Sequence, residues 1–171
     1  MATKTLVSEE EFLATDFEGP EPDYVDGEVV ERGMPNLDHS RVQRNLIVLL
    51  EPFRSRARLF AWPELRIRTR PGHYRTGDIV VYLGNEPEGP VPHQAPFAVI
   101  EILSPDDKFA IVMAKLSEYR DMGVAHVWIV DPGTGSLSVH DNGSLIRAEA
   151  FELPEFGLRL TAGQILSRAS D

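Results

Sequence analysis

Seven residues, Phe97 to Leu103 (FAVIEIL), constrain the fold most, because six of them are hydrophobic and they do not alternate with polar ones. Such a run reads as a strand buried on both faces. Its one polar member is Glu101, and a carboxylate in that setting needs a partner. Ser104-Pro105-Asp106-Asp107 follows at once. It has the form of a helix start, with an N-cap Ser, Pro at the first helical position and an acid at the third. The predicted helix runs to about Met122, with Phe109, Val112, Leu116 and Tyr119 on one stripe, and Gly123 stops it. A crossover helix returns antiparallel to its strand. Glu101 then lies roughly 10 Å before the turn, and Lys115, about ten residues into the helix, comes roughly 15 Å back. Lys115 is thereby placed at the depth of Glu101. A buried Glu–Lys pair serving only the fold is one reading.

The remaining segments place this unit in a larger sheet. Ser8 and Glu11 form a capping-box pattern for a short helix, and Asp26-Gly27 is a tight-turn signal between two β-prone runs. A helix starts at Asn36 or Asp38 and carries Val42, Leu46, Leu49, Leu50 and Phe53 on its apolar stripe, with Pro52 at its end. RLFAWPELRIRTR reads as extended, with Glu64, Arg66, Arg68 and Arg70 on an outer face. GDIVVYL is a second strand, GNEPEGPVPHQAP a loop, and AHVWIVDP another buried strand. A hairpin turns at Asn142-Gly143, and a tail packs through Leu160, Ile165 and Leu166 before fraying. The order is that of an α/β fold: a mixed β-sheet flanked by helices, with added β-hairpins. Trp62 and Trp128 are expected in the core. His73, His93, His126 and His140 have no metal-ligand spacing and are expected in loops or at the surface.

A chain of 171 residues suits one domain, residues 1–171, with a real core. It has no cysteine, which excludes a disulfide framework, a thiolate zinc site and a Cys nucleophile. The first twenty residues lack the apolar stretch of a secretory signal, and the longest strongly apolar run, LIVLL, is too short to span a bilayer. These features predict a soluble, cytoplasmic protein with no membrane partner. No Gly-rich phosphate loop and no Ser–His–Asp arrangement is present.

The net charge of −10 argues against a nucleic-acid partner until its distribution is considered. Residues 41–75 hold nine Arg, namely Arg41, Arg44, Arg54, Arg56, Arg58, Arg66, Arg68, Arg70 and Arg75. Within that segment only Glu51 and Glu64 oppose them, leaving +7 against −17 for the remainder. Arg pairs with phosphate through a planar fork, so Arg66, Arg68, Arg70 and Arg41 or Arg44 are candidate phosphate contacts. A solvated helix and strand face is the plainer reading.

Asp78 in TGDIVVYL lies at the mouth of a strand that could neighbour the 97–103 strand. Two ionised carboxylates about 4 Å apart repel by about 4 kcal/mol at an effective dielectric near 20, and a cation between them removes that cost. Mg²⁺ binds through one or two carboxylates, waters and phosphate oxygens. Two carboxylates, a metal and a positioned Lys suit phosphodiester hydrolysis. His39 lies three residues before Val42. It belongs either near this site or at a helix end without a role.

Asp on a strand, a loop, Glu-x-Leu on the next strand and Lys on the following helix together resemble the PD-(D/E)XK nuclease superfamily. More narrowly, YVDGEVVE, RTGDIVVY, VIEILSPDD and KLSEYRDMGVAHVWIVDP are similar to the Uma-two family of restriction-endonuclease-like proteins, over nearly the whole chain. The resemblance implies Mg²⁺ or Mn²⁺ on Asp78, Glu101 and the Ile102 carbonyl, with Lys115 as the migrated catalytic Lys and Leu103 in its usual place. It also implies that Glu28 faces the same site. Gly77 replaces the motif's Pro and loosens the backbone before Asp78. Ile111 replaces an Asp found one turn before the Lys in many relatives. The activity implied is DNA endonuclease. A non-catalytic nucleic-acid-binding or protein-interaction domain of the same fold is the alternative. Since cutting a duplex takes two cuts, a homodimer is expected.

Overall fold

The computed structural model describes residues 6–168. The expected fraying at the end of the tail falls largely on residues 169–171, outside those described. The chain opens with α1 (Glu9–Ala14), closed by the Ser8–Glu11 capping box. The hairpin β1 (Asp23–Val25) and β2 (Glu28–Val30) follows, turning at Asp26-Gly27 with φ of 47° and 90°. Asn36 caps α2 (Leu37–Leu50) through its side chain. Pro52 does more than end this helix: it begins a separate short helix, α3 (Pro52–Ala57), to which Phe53 belongs. Arg58, in the left-handed region, leads into β3 (Leu59–Arg70) and β4 (His73–Leu83). Next come β5 (Ala98–Ile102), α4 (Phe109–Met122) and β6 (His126–Asp131). The hairpin β7 (Ser136–Asp141) and β8 (Ser144–Ala148) turns at Asn142-Gly143 as expected. Last are β9 (Ala150–Leu153), a single 3₁₀ turn, β10 (Leu158–Thr161) and α5 (Ala162–Leu166).

Among the described residues eight strands make one mixed sheet in the order β2-β1-β4-β5-β6-β7-β8, with β3 on the other edge of β4. The β5–β6 pair is parallel and the other pairs are antiparallel. β9 and β10 form a separate two-stranded sheet, not foreseen in the sequence, which covers one face with α2 and α5. Leu46, Ile79, Ile100, Trp128 and Phe151 meet there, and the Trp128 and Phe151 rings stack with centroids 4.6 Å apart. α4 covers the opposite face, where Val80, Val99, Leu116 and Val127 pack. β5 is buried along its whole length, as its composition requires. Trp62 is 36 % exposed and lies outside the core.

The predicted start of the 104–122 helix is wrong. Ser104 N–H donates to Asp107 Oδ2 at 2.7 Å, and Asp107 N–H donates to the Ser104 carbonyl at 3.0 Å. That pair closes a single turn packed against Gly33, and α4 begins two residues later without a side-chain cap. Phe109 is consequently 67 % exposed, and Lys115 stands in the second helical turn.

β4 is long enough to run its whole length beside β3 while its other edge is shared by two strands. β1 pairs with His73 and Tyr74, and β5 pairs with Ile79, Val80 and Val81. Between them the sheet forks. The peptide groups of Thr76 face this fork: its N–H donates to Asp23 Oδ1 at 2.9 Å and its carbonyl accepts from Lys115 Nζ at 2.7 Å. Side chains thus supply bonds a neighbouring strand would have made.

Candidate active site

Asp78 lies in the interior of β4, not at its mouth, and the fork brings Glu101 and Lys115 to it. Asp78 Oδ2 accepts from the Ile102 N–H at 2.7 Å and stands 3.4 Å from His39 Nε2. Oδ1 accepts from Arg32 Nη2. Glu101 accepts from Tyr119 Oη at 2.8 Å and from Lys115 Nζ at 3.1 Å, while Lys115 is 3.8 Å from Asp23 Oδ2. A cavity of about 60 Å³ is lined by Asp23, Arg32, His39, Asp78, Glu101 and Lys115, among others.

The elements explain the placement. Asn36 Oδ1 accepts the His39 N–H at 2.9 Å, which fixes His39 in the first turn of α2, on the face that Val42 buries. The inward alternative for His39 is therefore the one observed. Glu64 has φ of 49° and lies between the Pro63–Ile79 and Leu65–Gly77 pairs, opposite Asp78. Its side chain accepts from Arg32 Nη1 at 2.7 Å and Gln43 Nε2 at 2.8 Å, and Gln43 also donates to the Asp78 carbonyl at 3.0 Å. Gly77 is needed for space rather than for looseness. A Cβ there would lie 2.6 Å from Val80 Cγ2, a fully buried and stiff side chain.

The charges are unequally satisfied. Burial works to raise the pKa of Asp78, but the His39 hydrogen bond and the Arg32 and Lys115 charges outweigh it and hold the carboxyl below its usual range. Glu101 is pushed up to about 7, by burial first; Lys115 opposes the shift and the nearby Asp78 charge adds to it. Burial disfavours the Arg32 cation, yet Asp78, Glu101 and Glu64 together raise its pKa. His39, although buried, is also raised, through Asp78.

Glu28 does not line this cavity. It pairs with Val25 beside the hairpin turn, whereas Asp23, at the far end of β1, reaches the fork. Asp23 and Arg32 are among the lining residues that sequence reasoning missed. The only sequence signal for Asp23 was an acid opening a β-prone run. His73 and His140 are buried, against expectation. The basic strip is also less free than a linear count suggests, because α1, α2 and the segment before β1 bring acids to it. Arg66 pairs with Glu21 and lies over the Phe12 ring at 4.7 Å, Arg68 is 3.7 Å from Glu9, and Arg41 pairs with Asp38 at 2.5 Å. Arg70 meets His73 Nε2 at 2.8 Å, and Arg75 is buried.

Among the described residues no group of three or more His, Asp and Glu side chains is arranged to hold a metal ion. Asp78 and Glu101 are two of the carboxylates that line the cleft, and Mg²⁺ is commonly held by one or two together with waters and phosphate oxygens. The raised pKa of Glu101 beside Asp78 is the electrostatic condition that a divalent cation relieves. The donor set fits such an ion in chemistry, with the guanidinium of Arg32 already on Asp78. No helix among the described residues is long and apolar enough to cross a membrane.

A search of curated proteins finds no match. A solved structure described as "a putative nuclease belonging to DUF820", from Anabaena variabilis, aligns over 92 % of this chain and 96 % of that one. The TM-score is 0.74 and the identity 24 %, a likeness of fold. The model of the Uma2 family, described as "Putative restriction endonuclease", matches residues 9–164. That span takes in every strand and the fork between β1 and β5, and the chain belongs to the Uma2 family.

Proposed function

We propose that this protein hydrolyses phosphodiester bonds of nucleic acid, most simply as a DNA endonuclease dependent on Mg²⁺ or Mn²⁺. The observation that carries the reading is the convergence of Asp78, Glu101 and Lys115 on one cleft at the fork of the sheet. The family description and the name of the Anabaena variabilis protein support it. Asp78 and Glu101 would hold the ion, with the Ile102 carbonyl as the further oxygen that the family resemblance assigns. When bound, such an ion polarises a phosphoryl oxygen and lowers the pKa of water.

The chain's own residues do the rest. Lys115 is held on Thr76 and Glu101, so its ammonium is oriented before substrate arrives. It stabilises the charge that builds on the phosphoryl oxygens or orients the attacking water. Tyr119 fixes Glu101 from the helix side. Arg41, Arg66, Arg68 and Arg70 contact the phosphate backbone by exchanging their present partners for it. Each chain carries one such cleft, so two copies act together on a duplex; sedimentation with and without nucleic acid tests this, and monomer under both conditions removes it.

Cleavage of plasmid and single-stranded substrates, with and without Mn²⁺, tests the main reading. Lys115→Ala should lower the rate roughly 10²–10³-fold, the usual effect of removing one stabilising donor. Metal affinity, read by calorimetry, should change little. Binding of nucleic acid without metal-dependent cleavage would favour the non-catalytic domain instead.

A further inference from the structure

Arg32 stands between two spaces. On its inner side is the cleft of about 60 Å³ with Asp78, Glu101 and Lys115. On its outer side is a cavity of about 430 Å³, also lined by Arg32, Gly33 and His39, and by Glu21, Gln43 and Glu64. One guanidinium nitrogen is on Asp78 Oδ1, and the other donates to Glu64 at 2.7 Å and to the Glu21 carbonyl at 3.3 Å. Asp78 Oδ2 is already engaged by the Ile102 N–H and His39. Oδ1 is thus the Asp78 oxygen through which a cation would enter, and Arg32 occupies it.

We propose that Arg32 is an exchangeable internal cation, which neutralises Asp78 before metal arrives and leaves it when metal binds. The inference rests on the metal-dependent reading above. Glu64 gives the displaced side chain somewhere to go. It is half exposed, holds Arg32 already and lies on the wall of the outer cavity, so release requires the loss of one ion pair rather than two. Gln43 braces Glu64 there and also donates to the Asp78 carbonyl, so the anchor does not travel with the arginine. Once Arg32 has moved outward the two spaces join, and a guanidinium faces the opening through which a phosphodiester reaches the metal. Arg32 is then a positioning residue in the empty state and a phosphate contact in the loaded one.

The consequence is thermodynamic. A ligand whose site is open in only a fraction of molecules binds more weakly by that fraction. Removing the plug should therefore tighten Mn²⁺ binding about tenfold to a thousandfold, for an open population of about 0.1–10 %. Calorimetric titration of Mn²⁺ into wild type, Arg32→Met and Asp78→Asn measures this without any cleavage. The expected order is Arg32→Met tightest, wild type weaker and Asp78→Asn weakest. Equal affinities in wild type and Arg32→Met would overturn the plug while leaving the metal reading intact. No Mn²⁺ binding to any of the three would overturn both. If Arg32→Met fails to fold, the wild-type protein supplies the test. The side-chain Nε–H resonance of Arg32, assigned by its loss in Arg32→Lys, should shift in step with Mg²⁺ saturation. A resonance unmoved at saturating Mg²⁺ would overturn the proposal.

Discussion

Two buried ionic clusters meet at the fork of the sheet, and they are built on opposite principles. In the first, Arg75 donates to Glu118 Oε2 at 3.1 and 2.7 Å and to Asp23 Oδ2 at 3.2 Å. Glu118 also accepts from Thr69 and faces His73 Nδ1 at 3.1 Å. Although burial opposes it, the hydrogen bonds from Arg75 and Thr69 hold the Glu118 carboxyl below its usual range. Its charges suit one another, and nothing in it needs a ligand. In the second, burial first and then the facing Asp78 charge raise the Glu101 pKa to about 7 in spite of Lys115. The lesson is that a buried charge marks a candidate site when its neighbours leave it unsatisfied. The Arg75 cluster is equally polar and reads as architecture.

The sharpest way to break this contrast is Glu118→Ala. It removes two of the three carboxylate hydrogen bonds of Arg75 and leaves Asp23 as its remaining partner, and the loss of one partner from a buried ionic group costs about 3–5 kcal/mol. Urea denaturation of metal-free protein should show that loss, and Mn²⁺ should not restore it, because Glu118 does not line the cleft that holds Asp78 and Glu101. Full recovery with Mn²⁺ would merge the two clusters into one.

The pH dependence sharpens the comparison from the other side. The groups facing Glu101 are Asp78, Lys115, Arg32 and Tyr119. Its pKa is raised from 4.5 to about 7, so the unfolded chain ionises first as pH rises. Its contribution is full below pH 4.5 and is lost as pH climbs through about 7. That is a loss of about 3 kcal/mol relative to Glu101→Gln over the window. Melting both proteins without metal between pH 4 and 8 measures it. A stability difference independent of pH would mean that Glu101 is as well matched as Glu118.

Chemistry local to a turn was legible in the sequence, and chemistry that depends on distant pairing was not. Asp26-Gly27, Asn142-Gly143, the Ser8 capping box and the Gly123 stop all form as their residues dictate. The 97–103 run is a buried strand trimmed by one residue at each end, and Lys115 does reach Glu101. The Ser104–Asp107 signal closes an isolated turn beside Gly33 through its own two hydrogen bonds and does not start the helix. The fork could not be foreseen, since it arises from β1 and β5 sharing one edge of β4 across some 75 residues of chain. Asp23 and Arg32 matter only because of it. The same blindness inflated the basic strip, whose acidic partners Glu9 and Glu21 lie far upstream.

Gly77 sits on the boundary between the clusters, so Gly77→Ala tests how closely the mismatched one is packed. The new methyl would clash with Val80 Cγ2 at 2.6 Å, while Val99 at 3.4 Å and the Tyr119 hydroxyl at 3.6 Å would be in ordinary contact. Overpacking of this kind costs about 1–3 kcal/mol. Because Asp78 is the next residue on β4, a shift of the strand that relieves Val80 should also weaken Mn²⁺ binding, while Arg75 and Glu118 stay as they are. Unchanged stability would show that β4 shifts to admit the methyl at little cost.

The smallest effect on stability is expected outside both clusters, at Arg68. Its approach to Glu9 is 3.7 Å and its side chain is 41 % exposed, so Arg68→Ala should change stability by only about 0.5 kcal/mol or less. Its effect on nucleic-acid affinity follows a different rule. An arginine that neutralises one phosphate adds about 0.9 to the slope of log affinity against log salt on duplex DNA, so its removal should flatten that slope by the same amount. Fluorescence anisotropy at several salt concentrations reads the slope directly. The variant should bind more weakly at low salt and approach wild type as salt rises, since released counterions supply the difference. A slope unchanged in Arg68→Ala would assign this arginine to Glu9 alone and take the strand face out of the nucleic-acid surface.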